Sequence, residues 1–436
     1  MTKIYLDNAA TTKPSEEVLS VMAKINDQYW GNPSSIHSFG QEAHNVLDES
    51  RETVAGFLNC SFDEVIFTGG GSESDNLAIR GLLASGQRSA ASGQTPNFLP
   101  HVITSAIEHH AVLHTIEDLE KEGLIEATYL KPSSDGEINP LDVQAAVKDN
   151  TVLVSIMYVN NETGAVQPIR EIGKIIQAIN ASRGSGVGGQ ELELQTPNAK
   201  LQTSKSAQRI YFHTDAVQAA EFFKMDVEWL GVDLLSMTAH KIHGPKGTGV
   251  LYVRKGTPLK PIITGGGHEF RLRAGTENLA GISGLAEAIK AASELKGDEY
   301  AETGLSLSPK INKIQTLKER LISALVGQVE ETYLNGSTLS SSPAIANISF
   351  FNAEGEAIIL NLDFLGIAVS SGSACTSTSL EPSHVLSAMG IPPEKAHGSI
   401  RFSLSKDTTE EEIDKVIEVL PGIVEKLRQM SPFKTK

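Results

Sequence analysis

Between residues 64 and 253, short apolar runs alternate with amphipathic stretches, and this alternation limits the fold more than any other feature of the chain. Residues 64–68, 101–105, 125–130, 152–159, 210–214, 233–237 and 250–253 read as strands. Residues 73–84, 109–122, 140–148 and 168–181 read as the helices that separate most of them. Strands and helices in alternation predict an α/β fold, with a mostly parallel sheet covered on both faces. Ligands of such sheets bind beyond the carboxyl ends of the strands. Chemistry is therefore expected where the apolar runs stop.

The flanking regions follow other patterns. Residues 15–60 read as helical, with Ala43, Val46, Leu47, Ser50 and Val54 on one face. Residues 85–99 and 182–206 are polar, glycine-bearing and nearly free of aromatic residues, which predicts exposed insertions. After residue 262 the pattern changes. Gly265-Gly266-Gly267 marks a turn, 308–326 a long helix, and 346–351 and 367–370 strands. A closing helix over 409–430 offers Ile413, Val416, Ile417, Val419 and Leu420 for packing. Two parts are expected: a large domain over 15–262 that contains the 182–206 insertion, and a smaller α+β domain made from 1–14 and 263–436.

Composition narrows the setting. The chain has 436 residues, 40% of them hydrophobic, which is enough to build a core without disulfide staples. Its two cysteines, Cys60 and Cys375, fit a reducing compartment better than a secreted scaffold. No run approaches the ~18 apolar residues of a membrane helix. A cytoplasmic location is expected, or an organellar one if a transit segment was removed. The formal charge of −16 disfavours nucleic acid, a polyanion.

Four segments carry residue types suited to chemistry. In Thr68-Gly69-Gly70-Gly71-Ser72-Glu73-Ser74, the glycines allow backbone N–H groups to approach an anion, and Ser72 can cap the helix that follows. No Gly-Lys-Ser/Thr follows, so this is not a Walker loop; a structural turn is the competing reading. In His213-Thr214-Asp215-Ala216-Val217-Gln218, Asp215 stands at a strand end, ready to meet a ligand or merely to cap. Lys241, just past another strand among His240, His243, Gly244 and Pro245, can be desolvated into a nucleophilic amine; a solvated surface lysine is the alternative. Asp215 and Lys241 follow successive strands and should be neighbours. Residues 370–379 place Cys375 among small polar residues, unusual for a side chain that favours burial. Its thiolate would need a basic or cationic neighbour. Cys60, near Leu58 and Phe62, reads as a packed thiol. Metal signals are weak: His240 and His243 are three apart, and Leu272 stands where a second histidine would complete His268-Glu269 as a zinc motif.

Taken together, these and further segments resemble one family nearly end to end. They include Tyr5-Leu6-Asp7-Asn8-Ala9-Ala10-Thr11-Thr12, Gly31-Asn32-Pro33-Ser34-Ser35-Ile36-His37, Glu108-His109, Val159-Asn160-Asn161-Glu162-Thr163-Gly164 and Arg273-Ala274-Gly275-Thr276. The chain looks like a cysteine desulfurase of the housekeeping iron–sulfur-cluster kind, in the class V aminotransferase group of fold-type I pyridoxal 5'-phosphate (PLP) enzymes. The resemblance implies a seven-stranded, mostly parallel sheet and a homodimer. It implies that Lys241 forms the Schiff base with PLP, Asp215 pairs with the pyridine nitrogen, and Asn161 and Gln218 bond near the ring oxygen. His109 would stack on the ring and assist proton transfer. Gly71, Ser72, Thr238 and His240 would hold the phosphate, with Thr276 reaching in from the other subunit. Arg401 would clamp the substrate carboxylate. Cys375 would take sulfur from L-cysteine as a persulfide, releasing L-alanine, and pass it to acceptor or iron–sulfur scaffold proteins; it could also donate to a nascent cluster. No resident metal is expected. Two features depart from relatives: Ser72 stands where threonine is common, and the 182–206 insertion is longer than the usual link.

Other readings compete. A selenocysteine lyase or another class V PLP aminotransferase shares the lysine–aspartate framework, although an aminotransferase has no need of Cys375. A sulfur carrier without catalytic activity would need a cysteine but not Lys241, Asp215 or His109.

Overall fold

The computed structural model describes residues 3–86, 99–184, 208–371 and 382–430. The expected insertions fall largely outside these residues, and Cys375 lies outside them altogether. The chain opens with β1 (Ile4–Tyr5), α1 (Glu16–Gln28) and α2 (Ser38–Leu58). Next come β2 (Val65–Thr68), α3 (Gly71–Gly86), β3 (His101–Ser105), α4 (His110–Lys121), β4 (Glu126–Leu130), α5 (Pro140–Ala146), β5 (Thr151–Ser155) and α6 (Ile169–Gly184). They are followed by β6 (Tyr211–Asp215), α7 (Val227–Leu230), β7 (Leu234–Thr238), β8 (Gly249–Val253), α8 (Leu279–Lys296) and α9 (Pro309–Gln328). The last part holds β9 (Thr332–Asn335), β10 (Ile345–Phe350), α10 (Gly355–Phe364), β11 (Ile367–Ala368), α11 (His384–Ala388), α12 (Pro393–Ala396), β12 (Ser399–Ser403) and α13 (Glu410–Met430).

The expected sheet is present. Seven strands run in the order β2-β8-β7-β6-β5-β3-β4, all parallel except β8, which is antiparallel to both neighbours. Asp215 on β6 pairs in register with Ser236 on β7, so the ends of these strands lie side by side. A second sheet, β12-β10-β9, is antiparallel, and β1 pairs with β11 in parallel.

Two readings need correction. Residues 15–60 are not one helical stretch, because α1 ends at Gln28 and α2 starts at Ser38. Gly31 lies in the break, where a Cβ would come within 2.2 Å of the Phe39 carbonyl oxygen; that close approach is open only to glycine. The run 152–159 leaves the strand after Ser155, although Ile156 and Tyr158 still donate to the carbonyls of His213 and Asp215 on β6.

Helix α8 was not anticipated. Its first two turns, residues 279–286, are buried on every side, whereas Lys290, Ala291, Ser293 and Glu294 further on are exposed; the helix packs against α1 and α2. Two turns buried on every side leave no stripe there for periodicity to find. Each fully buried large aliphatic side chain contributes about 1.5–3 kcal/mol. α13 packs as expected, with Ile413, Val416 and Leu420 buried and Ile417 and Val419 half-buried.

Candidate active site

A cavity of about 310 Å³ opens beyond the carboxyl ends of β6 and β7. Lys241, Asp215, His109, Gly71, Ser72, Asn161, Gln218, Thr238, His240 and Arg401 all line it. The structure thus brings together ten of the residues singled out in the sequence. It does not bring Thr276, which is exposed and outside the lining. Asp75, Met157, Val159 and Val217 also line the cavity and were missed.

The floor is built from β6, β7 and α3. Asp215 Oδ1 accepts from Val217 N at 2.9 Å. Burial raises the Asp215 carboxyl to about 6, opposed by that backbone bond and by the Lys241 charge. One turn into α3, Asp75 is wholly buried beside it, and its Oδ1 has no hydrogen-bond partner. Burial, and the Asp215 charge after it, raise Asp75 well above the usual carboxylate range. Behind them His213 bridges Ser155 and Ser236 through its two ring nitrogens at 2.8 and 3.0 Å. Burial depresses it to about 3, which keeps it neutral.

The N-terminal segment and the Lys241 turn close one side. Lys241 Nζ donates to the carbonyls of Ala9 and Ala10. Gln218 Nε2 also donates to Ala9 O, at 2.9 Å. His240 Nδ1 lies 3.2 Å from Thr11 Oγ1, and its imidazole is lowered to about 4 by burial and by Lys241. Thr238 Oγ1 donates to Thr248 O at 3.0 Å, which leaves its lone pairs for a further contact.

His109 caps α4, its Nδ1 accepting from Ala111 N at 3.1 Å; the ring proton is therefore assigned to Nε2. Burial, then the Lys241 charge, lowers this imidazole to about 4, so it is neutral at pH 7. Glu108, just before it, accepts from Ser105 Oγ and Met157 N and is raised to about 8 by burial.

Arg401 on β12 forms the far wall. Its Nη2 pairs with Asp7 Oδ1 at 2.8 Å and its Nη1 donates to Asn161 O at 2.9 Å. Its Nε is buried without a partner. Nearby Glu162 accepts from Ser383 Oγ and is raised to about 7 by burial.

The turn before α3 is shaped as an anion cradle. A Cβ on Gly71 would lie 2.8 Å from Val217 Cγ2, so side-chain atoms there would fill the space beneath the helix N-terminus. Gly69 N donates to Glu73 Oε2, and Glu73 Oε1 receives Arg273 Nε at 2.9 Å, which ties the 273–276 segment to the cradle.

The residues fit PLP. There is a buried carboxylate at one strand end, an imidazole, an amine just past the next strand, a glycine turn at a helix N-terminus, and polar atoms left unpartnered around the same space. The donor atoms of Asp75, His109 and Asp215 lie within 4.8 Å of one another, the one such trio among the described residues. All three line the cavity. The histidines weighed for metal diverge: His243 Nδ1 bonds Lys13 O and its Nε2 lies 3.2 Å from Glu221 Oε1, while His240 faces Thr11. Glu269 is committed to a buried pair with Arg51 at 2.7 Å. Cys60 is the packed thiol expected, raised to about 12 by burial.

Comparison with known proteins gives the chain a family. The model of the aminotransferase class-V family matches residues 4–183 and 194–416. The chain is 42% identical to the cysteine desulfurase IscS of Dictyoglomus turgidum over 99% of its own length and 97% of that protein. It is 42% identical to a cysteine desulfurase of a Nostoc species over 100% and 96% of the two chains. Among solved structures, a NifS-like protein superposes with a TM-score of 0.81 at 32% identity, covering 98% of this chain and all of the other. SspA in complex with cysteine gives a TM-score of 0.73 at 31% identity, covering 94% of this chain and all of the other.

Proposed function

Starting from a chain that belongs to the aminotransferase class-V family, we propose that it is a PLP-dependent cysteine desulfurase. The carrying observation is that Lys241, Asp215, His109 and Arg401 line one cavity with a glycine cradle. The full-length relatives named cysteine desulfurase support the reaction, and the cysteine complex of SspA supports the substrate.

PLP, once bound, supplies a protonated ring that takes up the electron pair released when an amino acid loses its α-proton. The chain's residues do the rest. Lys241 anchors the cofactor through its amine, and Asp215 holds a proton on the ring nitrogen. Gly71, Ser72, Thr238 and His240 bind the phosphate, and Asn161 and Gln218 the region of the ring oxygen. His109, neutral and donating through Nε2, covers the ring face. Arg401, which lines the cavity, holds the substrate carboxylate through its guanidinium. The amine of Lys241, released when substrate binds, removes the α-proton. The thiolate of Cys375 then attacks the substrate sulfur. The carbon–sulfur bond breaks toward carbon, the carbon is reprotonated, and alanine leaves. One thiol and one cysteine give one persulfide and one alanine, with no external oxidant.

Thr276 serves the second copy of a homodimer, since in its own chain it is exposed and away from the cavity. Acceptor and scaffold proteins take the persulfide for iron–sulfur cluster assembly, in the cytoplasm. No helix among the described residues is long and apolar enough to cross a membrane. The test is to mix the PLP-loaded protein with L-cysteine and measure alanine and persulfide on Cys375. Cys375→Ala should lose the persulfide yet keep the yellow cofactor absorption. Full-rate desulfuration by that variant would overturn the proposal.

A further inference from the structure

A buried carboxyl and a buried hydroxyl meet beside the cavity in a contact that the reaction above leaves unused. Glu162 sits in a turn in which Asn160 Oδ1 accepts from the N–H groups of Glu162 and Thr163, both at 2.9 Å. Asn347 Nδ2 donates to Glu162 O at 3.1 Å. With its main chain held in this way, the Glu162 side chain accepts from Ser383 Oγ; the two residues are 3% and 5% exposed. Ser383 Oγ also accepts from Leu386 N at 3.2 Å and caps α11.

A helix cap needs only the serine. Burying a carboxyl beside it is costly, and an apolar residue would fill the space more cheaply. The bond is therefore informative about what is tied to what. Ser383 closely follows the segment that contains Cys375. On the other side of that segment, Ser370 exchanges two main-chain bonds with Arg401, at 2.7 and 3.3 Å. Arg401 in turn donates to Asn161 O, next to Glu162. Both flanks of the cysteine segment are thus fastened to one unit, the 160–164 turn and Arg401, whose Asn161 and Arg401 face the cavity.

We propose that Glu162 is a positioning residue for the sulfur half of the reaction: by gripping Ser383 it fixes where the chain leaves the segment bearing Cys375, and so sets how the thiol meets the substrate. The inference rests on the reading of Cys375 as the sulfur-accepting group. Glu162 does not line the cavity, so it acts through Ser383.

The two halves of the reaction can be read separately in the PLP-loaded full chain. Exchange of the α-proton of L-alanine with deuterated solvent reports Lys241 and the cofactor without any thiol. Persulfide on Cys375, followed by mass spectrometry in a single turnover with L-cysteine, reports the sulfur step. Glu162→Ala and Ser383→Ala should each slow persulfide formation about tenfold, the scale of one lost hydrogen bond, with exchange within about twofold of the parent. Glu162→Gln, whose amide oxygen can still accept from Ser383, should recover most of the rate. A parallel fall in exchange and persulfide, or a normal persulfide rate in both alanine variants, would overturn the proposal. If the unaltered protein forms no persulfide on Cys375, it is the desulfurase reading that fails first.

Discussion

Lys241 and Lys296 place their amines alike in two regions of the molecule. Each reaches two main-chain carbonyls: Ala9 and Ala10 for Lys241, Ala220 and Phe223 for Lys296. Lys296, the last residue of α8, is 3% exposed, with Nζ 4.0 Å from the centre of the Phe57 ring. Burial pushes it down to about 7, against the Glu221 charge. Lys241 instead borders a cavity shared with Asp215 and Arg401. A strongly perturbed amine is therefore a poor guide to catalysis by itself. Access to the cavity separates the lysine proposed to hold the cofactor from the buried one.

The largest effect should come from exchanging the roles in the comparison. Lys241→Ala should cut alanine release from cysteine by about 10²- to 10⁴-fold, as loss of a proton-transfer group does, while Lys296→Met leaves turnover per folded molecule within about twofold. The reverse ranking would break the comparison. A third cation sharpens it. Arg401→Lys keeps the charge but loses the planar fork, so KM for cysteine should rise about 10- to 100-fold in initial-rate measurements.

Lys296 should show itself in stability instead. Its amine titrates near 7 when folded and near 10.5 when unfolded. Between these values the unfolded chain holds a proton that the folded chain lacks, so stability rises with pH by up to about 1.4 kcal/mol per unit and is level below the folded value. Lys296→Met should flatten urea-unfolding stabilities compared at pH 7.5 and 8.5. The smallest effect is expected at the cavity floor. The Asp75 carboxyl is raised above its unfolded value of 3.8, so its contribution to stability is present at low pH and lost as pH climbs through the folded value. Asp75→Asn should therefore melt higher than the parent at pH 8, with a smaller gain at pH 6.

Much of the cavity could be read from the sequence, because Lys241 and Asp215 stand at the ends of strands that their own apolar runs define. The glycine turn before α3 was equally local. Asp75 was hidden because, within a helix, an acid one turn past a glycine turn looks like a solvated face; only the strands packed against α3 make it buried. α8 was hidden because its first two turns are buried on every side. The contact of Glu162 with Ser383 joins residues 221 positions apart, which no local pattern can announce. Cys375 carries its meaning in sequence alone, since it lies outside the described residues.

The segment from Asp7 to Thr12 gives the site a particular history. Asn8 donates to the carbonyl of Ser403, 395 residues later, and Thr12 to that of His240, 228 residues later. During synthesis at about 5–20 residues per second, those early residues would wait roughly 20–80 s for β12 to be made. The catalytic cavity is thus among the last things a ribosome can finish, and an unfinished chain has no closed site in which cysteine could be broken down.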